Sequence, residues 1–234
     1  MNPIVIGTRG SELAMRQAGL IRDALAAEHP GLEVTLRVVH TTGDRDLRSP
    51  AQQTSGKGMF TTEIEAELLS GSISLAVHSM KDLPTRLPDG LVVGAVTRRE
   101  DPADVLVSSS GCVLADLPRR AKVLTGSPRR RALLLHRRPD LRVLPVRGNV
   151  PTRLRKLEES GADAVVLARA GLVRLGLSDR VTERLDPAEF VPACGQGALA
   201  VEIRQSDDEL LRLVRAVDDP ESRYAVAAER VCLA

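Results

Sequence analysis

The chain has 234 residues, of which 43% are hydrophobic and 27% are charged, a composition typical of a globular protein of one to three domains. Its net charge is only +2, and it contains two Phe, one Tyr and no Trp. A nucleic-acid surface would combine strong positive charge with aromatic stacking residues, so we expect no nucleic-acid partner.

The sequence shows no sign of export or membrane insertion. Residues 1–4 lead directly into a predicted strand, and no apolar run approaches the length needed to cross a bilayer. We therefore expect a cytoplasmic protein with no membrane partner. Cys112, Cys194 and Cys232 are far apart and lack metal-ligand spacing, which predicts free thiols and no metal site.

The N-terminal part predicts strands that alternate with helices. The loop between the first strand and the first helix contains Arg9 and Ser11, where free helix N–H groups favour an anion; the alternative is a plain helix cap with a surface arginine. A loop predicted over residues 41–59 is expected to be mobile and to cover a cleft. The predicted strands are 4–6, 34–40, 74–77 and 91–96, and the predicted helices begin at Ser11 and span 63–69.

The same layout begins again after residues 98–102. Predicted strands are 105–107, 122–124, 141–145 and 164–168, and predicted helices span 129–137 and 152–159. Strands that alternate with helices indicate parallel sheets with ligand-binding loops at the carboxyl ends of the strands. The fold class expected is α/β, with two similar lobes and a cleft between them.

A polar cluster lies at the end of one predicted strand. His78, Ser79, Lys81 and Asp82 follow an apolar run, and chains seldom keep such groups together for stability alone. This pattern favours a reactive site. The alternative is an ordinary exit from a strand with a surface Lys–Asp pair.

Arginines occupy the equivalent loops of the second lobe. Arg129, Arg130, Arg147 and Arg153 each follow a predicted strand or open a predicted helix, which predicts a cationic pocket for a ligand with several carboxylates or phosphates. For residues 129–131 the alternative is a solvated helix face.

Seven short motifs in a fixed order show that the chain resembles the porphobilinogen deaminase family, also called hydroxymethylbilane synthase. They are residues 6–11, 56–60, 77–84, 99–102, 147–150, 170–172 and 192–198. Each is weak alone, but together they cover essentially the whole chain. The resemblance implies a monomeric transferase of tetrapyrrole biosynthesis, which condenses four porphobilinogen molecules and releases ammonia on a covalent dipyrromethane cofactor.

The resemblance also implies roles for individual residues. The catalytic group would be Asp82 with Lys81 and Arg9. Cofactor binding would fall to Ser11, Lys81, Asp82, Thr125, Ser127, Arg129, Arg130 and Arg147. Substrate carboxylates would be held by Arg9, Arg147, Arg153 and Arg174, with Gln196 near the site, while Lys57 and Phe60 would belong to an active-site loop.

The family has three domains, of which the first two resemble type II periplasmic binding-protein lobes. We expect domain 1 over residues 1–97 and 198–217, domain 2 over 98–193, and in 218–234 only the initial stub of a third domain. The family's attachment cysteine is expected to be absent, because Cys232 falls in a helical segment without the preceding glycine and is predicted to be a buried helical cysteine. The chain alone is then expected to be inactive, and the stub to expose an apolar face that includes Val226, Val231 and Leu233.

Three residues depart from the family pattern. Gly126 and Pro128 replace a more usual Ser and Leu, and Arg169 stands at a position that is commonly apolar. The competing functional hypothesis is a two-lobed cytoplasmic binding protein that captures an anionic metabolite without chemistry. Release of ammonia from porphobilinogen distinguishes the two.

Overall fold

A computed structural model describes residues 3–41 and 61–233. The contacts within the chain divide it into two compact units: unit 1 consists of Met1–Glu100 and Ala198–Ala234, and unit 2 of Asp101–Gly197. Lys57 and Phe60, with nearly all of the predicted loop 41–59, lie outside the described residues. The assignment of residues 218–234 to a third domain stays a prediction.

The strands and helices follow the order expected from the sequence, and most boundaries agree within two residues. The strands are β1 (Ile4–Thr8), β2 (Val34–Val38), β3 (Leu75–Ser79), β4 (Leu91–Val96), β5 (Asp104–Ser108), β6 (Lys122–Leu124), β7 (Arg142–Leu144), β8 (Ala164–Ala168), β9 (Glu183–Arg184) and β10 (Leu199–Arg204). The α-helices are α1 (Glu12–Glu28), α2 (Thr62–Leu69), α3 (Pro128–Arg137), α4 (Val150–Glu159), α5 (Arg169–Arg174), α6 (Asp208–Val214) and α7 (Pro220–Leu233).

The sheet of unit 1 has the strand order β2-β1-β3-β10-β4. Successive side chains of β3 point to opposite faces, as the pleat of a strand requires. Leu75 and Val77 pack in the core that includes Ile21 and Leu25 of α1. Ala76 packs on the other face, in a cluster with side chains of α2. His78, two residues after Ala76, therefore lies on the α2 face of the sheet.

The sheet of unit 2 has the strand order β7-β6-β8-β5-β9. Helix α3 contributes Leu134 to a core with Phe190 on one face. Helix α4 contributes Leu154 and Leu157 to a core with Leu172 of α5 on the other. The sheet is thus covered by apolar side chains on both faces, as expected for a sheet built from crossover connections.

The expectation of purely parallel sheets is wrong, because both sheets are mixed. Strand β10 runs antiparallel to β3 and β4, and β5 runs antiparallel to β8 and β9. The remaining pairs, β1 with β2 and β3 and β6 with β7 and β8, are parallel. Alternation of strands and helices does not reveal the direction of a strand that returns to a sheet from far along the chain.

Helix α7 packs against unit 1 through one face. The Asp219 N–H donates to the carbonyl of Val96 at 2.7 Å, and the Ser222 hydroxyl accepts from the Arg99 N–H at 2.8 Å. Val226, which was expected to be exposed, is buried in a cluster with Met80 and Ala200, whereas Val231 is 77% exposed as expected. Cys232 is helical as expected, but the prediction that it is buried is wrong, because it is exposed beyond the packed part of the helix.

We predict that Val226→Ala and Val231→Ala have very different effects although the substitution and the helix are the same. Val226→Ala leaves a cavity beside the sheet of unit 1 and is expected to lower the free energy of unfolding by about 2 kcal/mol. Val231→Ala, at an exposed position, is expected to change it by less than about 0.5 kcal/mol. Denaturant unfolding measures both, and equal effects would contradict the packing described here.

Candidate functional site

The polar groups of unit 1 meet where two parallel strands end. Strands β1 and β3 run in the same direction, so the loop after β1 and the short 3₁₀ turn after β3, Met80–Asp82, lie at one edge of the sheet. An open pocket at this edge is lined by Arg9, Ser11, Leu13, Ala14, Gln17, Thr61, Val77, His78, Ser79 and Asp82. The structure thus brings together five of the polar residues singled out from the sequence.

Helix α1 is fixed to this edge by its first turns. The Ser11 hydroxyl accepts from the Ala14 N–H at 3.3 Å and caps the helix. One turn further, the Gln17 amide donates to the Ser79 hydroxyl at 3.0 Å. The bond from Gln17 holds the amino end of α1 against the end of β3.

The two charged residues of the Lys–Asp pair are exposed, whereas His78 is buried. Asp82 lines the pocket and Lys81 does not. The energetic cost of burial, which made this cluster a candidate reactive site, therefore applies to His78 and not to Lys81 or Asp82. The accessible Asp82 carboxylate can accept hydrogen bonds from N–H groups of a ligand. The Arg9 guanidinium in the same pocket can donate hydrogen bonds to carboxylates of that ligand.

In unit 2 the central feature is the buried carboxylate of Asp104, at the start of β5. Its Oδ1 accepts from the Arg130 guanidinium at 2.6 and 3.1 Å and from the Gln196 amide at 2.9 Å, and its Oδ2 accepts from Arg129 at 2.7 Å. Burial raises the pKa of Asp104, but the Arg130 and Arg129 guanidiniums and Gln196 lower it more, so that it lies below its usual value.

This network determines what two of the predicted ligand-binding residues contact. Arg130 is itself buried and also donates to the carbonyl of Val166 at 3.1 Å and to the Gln196 side chain at 3.4 Å. Gln196 donates in addition to the carbonyl of Pro102 at 2.7 Å. The solvated-face alternative is therefore wrong for Arg130, while its role in binding a ligand carboxylate stays a prediction.

The loop before α3 is tightly built. The Thr125 hydroxyl accepts from the Ser127 N–H at 3.2 Å, and the Ser127 hydroxyl caps the helix by accepting from the Arg130 N–H at 3.4 Å. Pro128 occupies the first turn, where its missing N–H costs nothing. A Cβ atom at Gly126 would lie 2.6 Å from the carbonyl oxygen of Val146, so the family's more usual serine would need a shift of the backbone here.

The remaining arginines predicted to bind ligands in unit 2 lie at or next to the ends of helices. Arg153 donates to the carbonyl of Gly148 at 2.7 Å, and Arg174 donates to the carbonyl of Gly197 at 2.5 Å. Arg147 is half-buried just before α4, which Asn149 caps by accepting from the Thr152 N–H at 2.9 Å. Gly148 has φ of 114°, a conformation that favours glycine.

Arg169, whose departure from the family pattern had no explanation in the sequence, begins α5 and lies 3.5 Å from Asp101. Asp101 also accepts from Arg184 at 2.6 and 3.0 Å. The hydrogen bonds from Arg184 are the main reason that the pKa of Asp101 lies below its usual value. Arg169 therefore belongs to an ion-pair group within unit 2.

Within residues 3–41 and 61–233 no three His, Cys, Asp or Glu side chains are arranged to hold a metal ion. No helix there combines the length and the apolar character needed to cross a membrane.

The fold defines a class of protein. The chain is similar to the crystal structure of the methionine binding protein MetQ, with a TM-score of 0.52 and 14% identity over 97% of this chain and 95% of that one. It is also similar to an arginine-specific periplasmic binding protein of Salmonella typhimurium, with a TM-score of 0.50 and 14% identity over 96% and 97% of the two chains. The fold is therefore that of type II periplasmic binding-protein lobes, as expected.

Sequence comparison is more specific. Residues 4–212 match the family model described as porphobilinogen deaminase, dipyromethane cofactor binding domain. Proteins named porphobilinogen deaminase are 50% identical in Syntrophobacter fumaroxidans and 53% identical in Desulforudis audaxviator, in each case over 98% of this chain and 74% of the relative. In Roseiflexus castenholzii the identity is 51% over 100% and 77%. The chain belongs to the porphobilinogen deaminase family.

We predict that Asp104→Asn destabilises unit 2 strongly. It leaves the buried Arg130 guanidinium without its counter-charge, and we expect a loss of about 3 kcal/mol in the free energy of unfolding. The matched control is Glu158→Gln, which removes an exposed partner of Arg180 and should cost less than about 1 kcal/mol.

We also predict that Asp104→Asn changes how the stability of the chain depends on pH. Because the pKa of Asp104 is lowered in the folded chain, its contribution to stability is present above its unfolded pKa and is lost as the pH falls below about 4. Denaturant unfolding as a function of pH should show a shallower acid decline for Asp104→Asn than for the parent chain. An identical loss of stability at acid pH in Asp104→Asn and in the parent would contradict a lowered pKa of Asp104.

Proposed function

We propose that these residues take part in the condensation of four porphobilinogen molecules into hydroxymethylbilane, with release of ammonia at each step, and that the 234-residue chain alone has negligible turnover. The observation that carries this proposal is the accessible Asp82 carboxylate at the end of β3, in one pocket with Arg9 and Ser11. Membership of the family supports the substrate and the product.

The chemistry requires an anion where positive charge develops. In each condensation the bond between the aminomethyl carbon and its nitrogen breaks. A ring carbon of the next pyrrole then attacks the aminomethyl carbon, and this ring carbon loses its proton once the carbon–carbon bond has formed. Asp82 accepts hydrogen bonds from pyrrole N–H groups and stabilises the cationic azafulvene left when ammonia departs. Arg9 and Lys81 are proposed to assist by holding carboxylates of the substrate.

The donor set fits the dipyrromethane cofactor of the family. Its pyrrole N–H groups need an acceptor, which Asp82 provides, and its acid side chains need donors. The residues proposed to hold it are Ser11, Lys81 and Asp82 in unit 1, and Thr125, Ser127, Arg129, Arg130 and Arg147 in unit 2. When bound, this group supplies the pyrrole carbon to which the first substrate is joined.

Substrate carboxylates are proposed to bind Arg9, Arg147, Arg153 and Arg174, with Gln196 close to the site. Because Gln196 and Arg130 are bonded to Asp104, their proposed contribution is to fix the position of Arg129 on the first turn of α3. We further propose that the protein is a cytoplasmic monomer, in keeping with its three free thiols.

We predict that Asp82→Asn, made in the complete open reading frame that encodes these residues, lowers the rate of ammonia release from porphobilinogen about a hundredfold to ten-thousandfold. The fold should be unchanged, because Asp82 is exposed. Asp89→Asn, at an exposed position that does not line the pocket, is the control and should keep the parent rate. Binding of porphobilinogen without ammonia release by the parent protein would instead favour the binding-protein hypothesis.

A second prediction concerns the attachment of the cofactor. We propose that none of Cys112, Cys194 and Cys232 carries it, so the 234-residue chain expressed with porphobilinogen should show the mass of the unmodified polypeptide and negligible turnover. Without a covalent tether, the advantage of holding a reactant beside the catalytic carboxylate is lost. Intact-mass spectrometry is the measurement, and an adduct of two pyrrole units on any of these cysteines would refute this assignment.

A further inference from the structure

Behind the pocket of unit 1 lies a group of buried ionisable side chains with no part in the chemistry described so far. His78 is 7% exposed, yet it contributes to the wall of the pocket. Its Nε2 lies 3.0 Å from Oε2 of Glu202, which is fully buried on β10. In the strand register Glu202 is opposite Ala76, which places it on the same face of the sheet as His78.

A second buried carboxylate reaches this face from α2. Glu65 is 7% exposed and is hydrogen-bonded by the side chain of Thr61, which also lines the pocket. Burial, reinforced by the charge of Glu202, raises the pKa of Glu65, although Thr61 and His78 act in the opposite direction. Glu65 therefore keeps its proton to higher pH than an exposed glutamate does.

The group is incompletely satisfied. Among the described residues, Oε1 of Glu65 and Oε1 of Glu202 are buried and have no hydrogen-bond partner. Two buried carboxylates beside a single imidazole are an expensive way to stabilise a sheet, since an apolar pair of similar volume would serve better. The other charged groups that face the pocket are Arg9 and Asp82.

We propose that His78 is a proton-transfer residue of the condensation, with Glu202 and Glu65 as positioning residues behind it. Glu202 accepts from Nε2–H of His78, which leaves Nδ1 as the nitrogen that can take up a proton. The raised pKa of Glu65 favours its protonated form and so limits the negative charge buried beside His78. This inference rests on the proposed function and assigns the fate of one proton in it.

The proton balance closes without any further reactant. When the new carbon–carbon bond has formed, the pyrrole ring carbon in that bond releases a proton. His78 takes this proton at Nδ1, and Glu202 stabilises the resulting imidazolium. The ammonia released from the incoming porphobilinogen then takes this proton and leaves as ammonium. His78 returns to its neutral form for the next condensation.

The kinetic test uses the complete open reading frame and three variants. His78→Gln should lower kcat for ammonia release at least about a hundredfold with little change in KM or in melting temperature. His136→Gln, at an exposed position on α3, is the control and should keep the parent kcat. Parent-like kcat in His78→Gln would overturn the inference while leaving the proposed function intact.

Glu65→Gln tests whether Glu65 acts on His78 through its charge. Burial raises the pKa of Glu65, and glutamine at this position cannot ionise at any pH. The dependence of kcat on pH should therefore differ between Glu65→Gln and the parent, with the parent losing more activity as the pH rises. Superimposable pH profiles for the two proteins would overturn the assigned role of Glu65.

A measurement independent of turnover decides the tautomer. In ¹⁵N-histidine spectra of the 234-residue chain above neutral pH, His78, identified by its loss in His78→Gln, should be the neutral Nε2–H form. Glu202→Leu should abolish this preference, because it removes the acceptor. A neutral Nδ1–H form of His78 in the parent chain would overturn the inference even if the protein released no ammonia, a result that would separately refute the proposed function.

Discussion

The structure of unit 1 depends on one strand that follows unit 2 in the sequence. Strand β10 lies between β3 and β4 and hydrogen-bonds to both, so these two strands share one sheet only through it. The same strand supplies Val201 and Ile203 to the core beneath α1 and Glu202 to the opposite face. Its position therefore sets both the packing of unit 1 and the surroundings of His78.

Buried carboxylates have different surroundings in the two units. In unit 2, Asp104 is surrounded by donors, and the pairing holds its pKa down. In unit 1, Glu65 has the Thr61 side chain as a hydrogen-bond donor and lies near the carboxylate of Glu202. Burial, reinforced by Glu202, raises its pKa. A fully paired carboxylate stabilises and positions its neighbours, whereas one with few donors keeps its proton to higher pH than an exposed carboxylate does. The first arrangement suits a scaffold for arginines and the second suits a reactive pocket.

Much of this was predictable from local sequence. Apolar periodicity located β4, β6 and β8 to the residue, and Ser11 and Pro128 marked the starts of α1 and α3, because these signals act within a few residues. The polar run at the end of β3 drew attention to His78 and Asp82, which line one pocket in the structure. Strand direction in the sheets was not predictable, since it depends on pairing between segments far apart in the sequence, such as β5 with β8 and β10 with β3.

Long-range pairing also hid the most heavily bonded carboxylate of unit 2. Asp104 opens an apolar strand, and that unusual position is the one local signal that could have drawn notice to it. Its partners come from α3 and from residue 196, and only the fold brings them together. For the same reason the exposure of Cys232 was missed, because a helical pattern does not show which turns of a helix meet a sheet.

The place of β10 in the sheet has a consequence for synthesis on the ribosome. Domains usually fold in the order in which they emerge, the amino-terminal one first. Here the continuous segment Asp101–Gly197 can complete its own sheet while the first hundred residues still await β10. During that interval β3 and β4 expose unpaired edges, which are sites for aggregation. The nascent chain is thus most vulnerable just before residues 199–204 leave the exit tunnel.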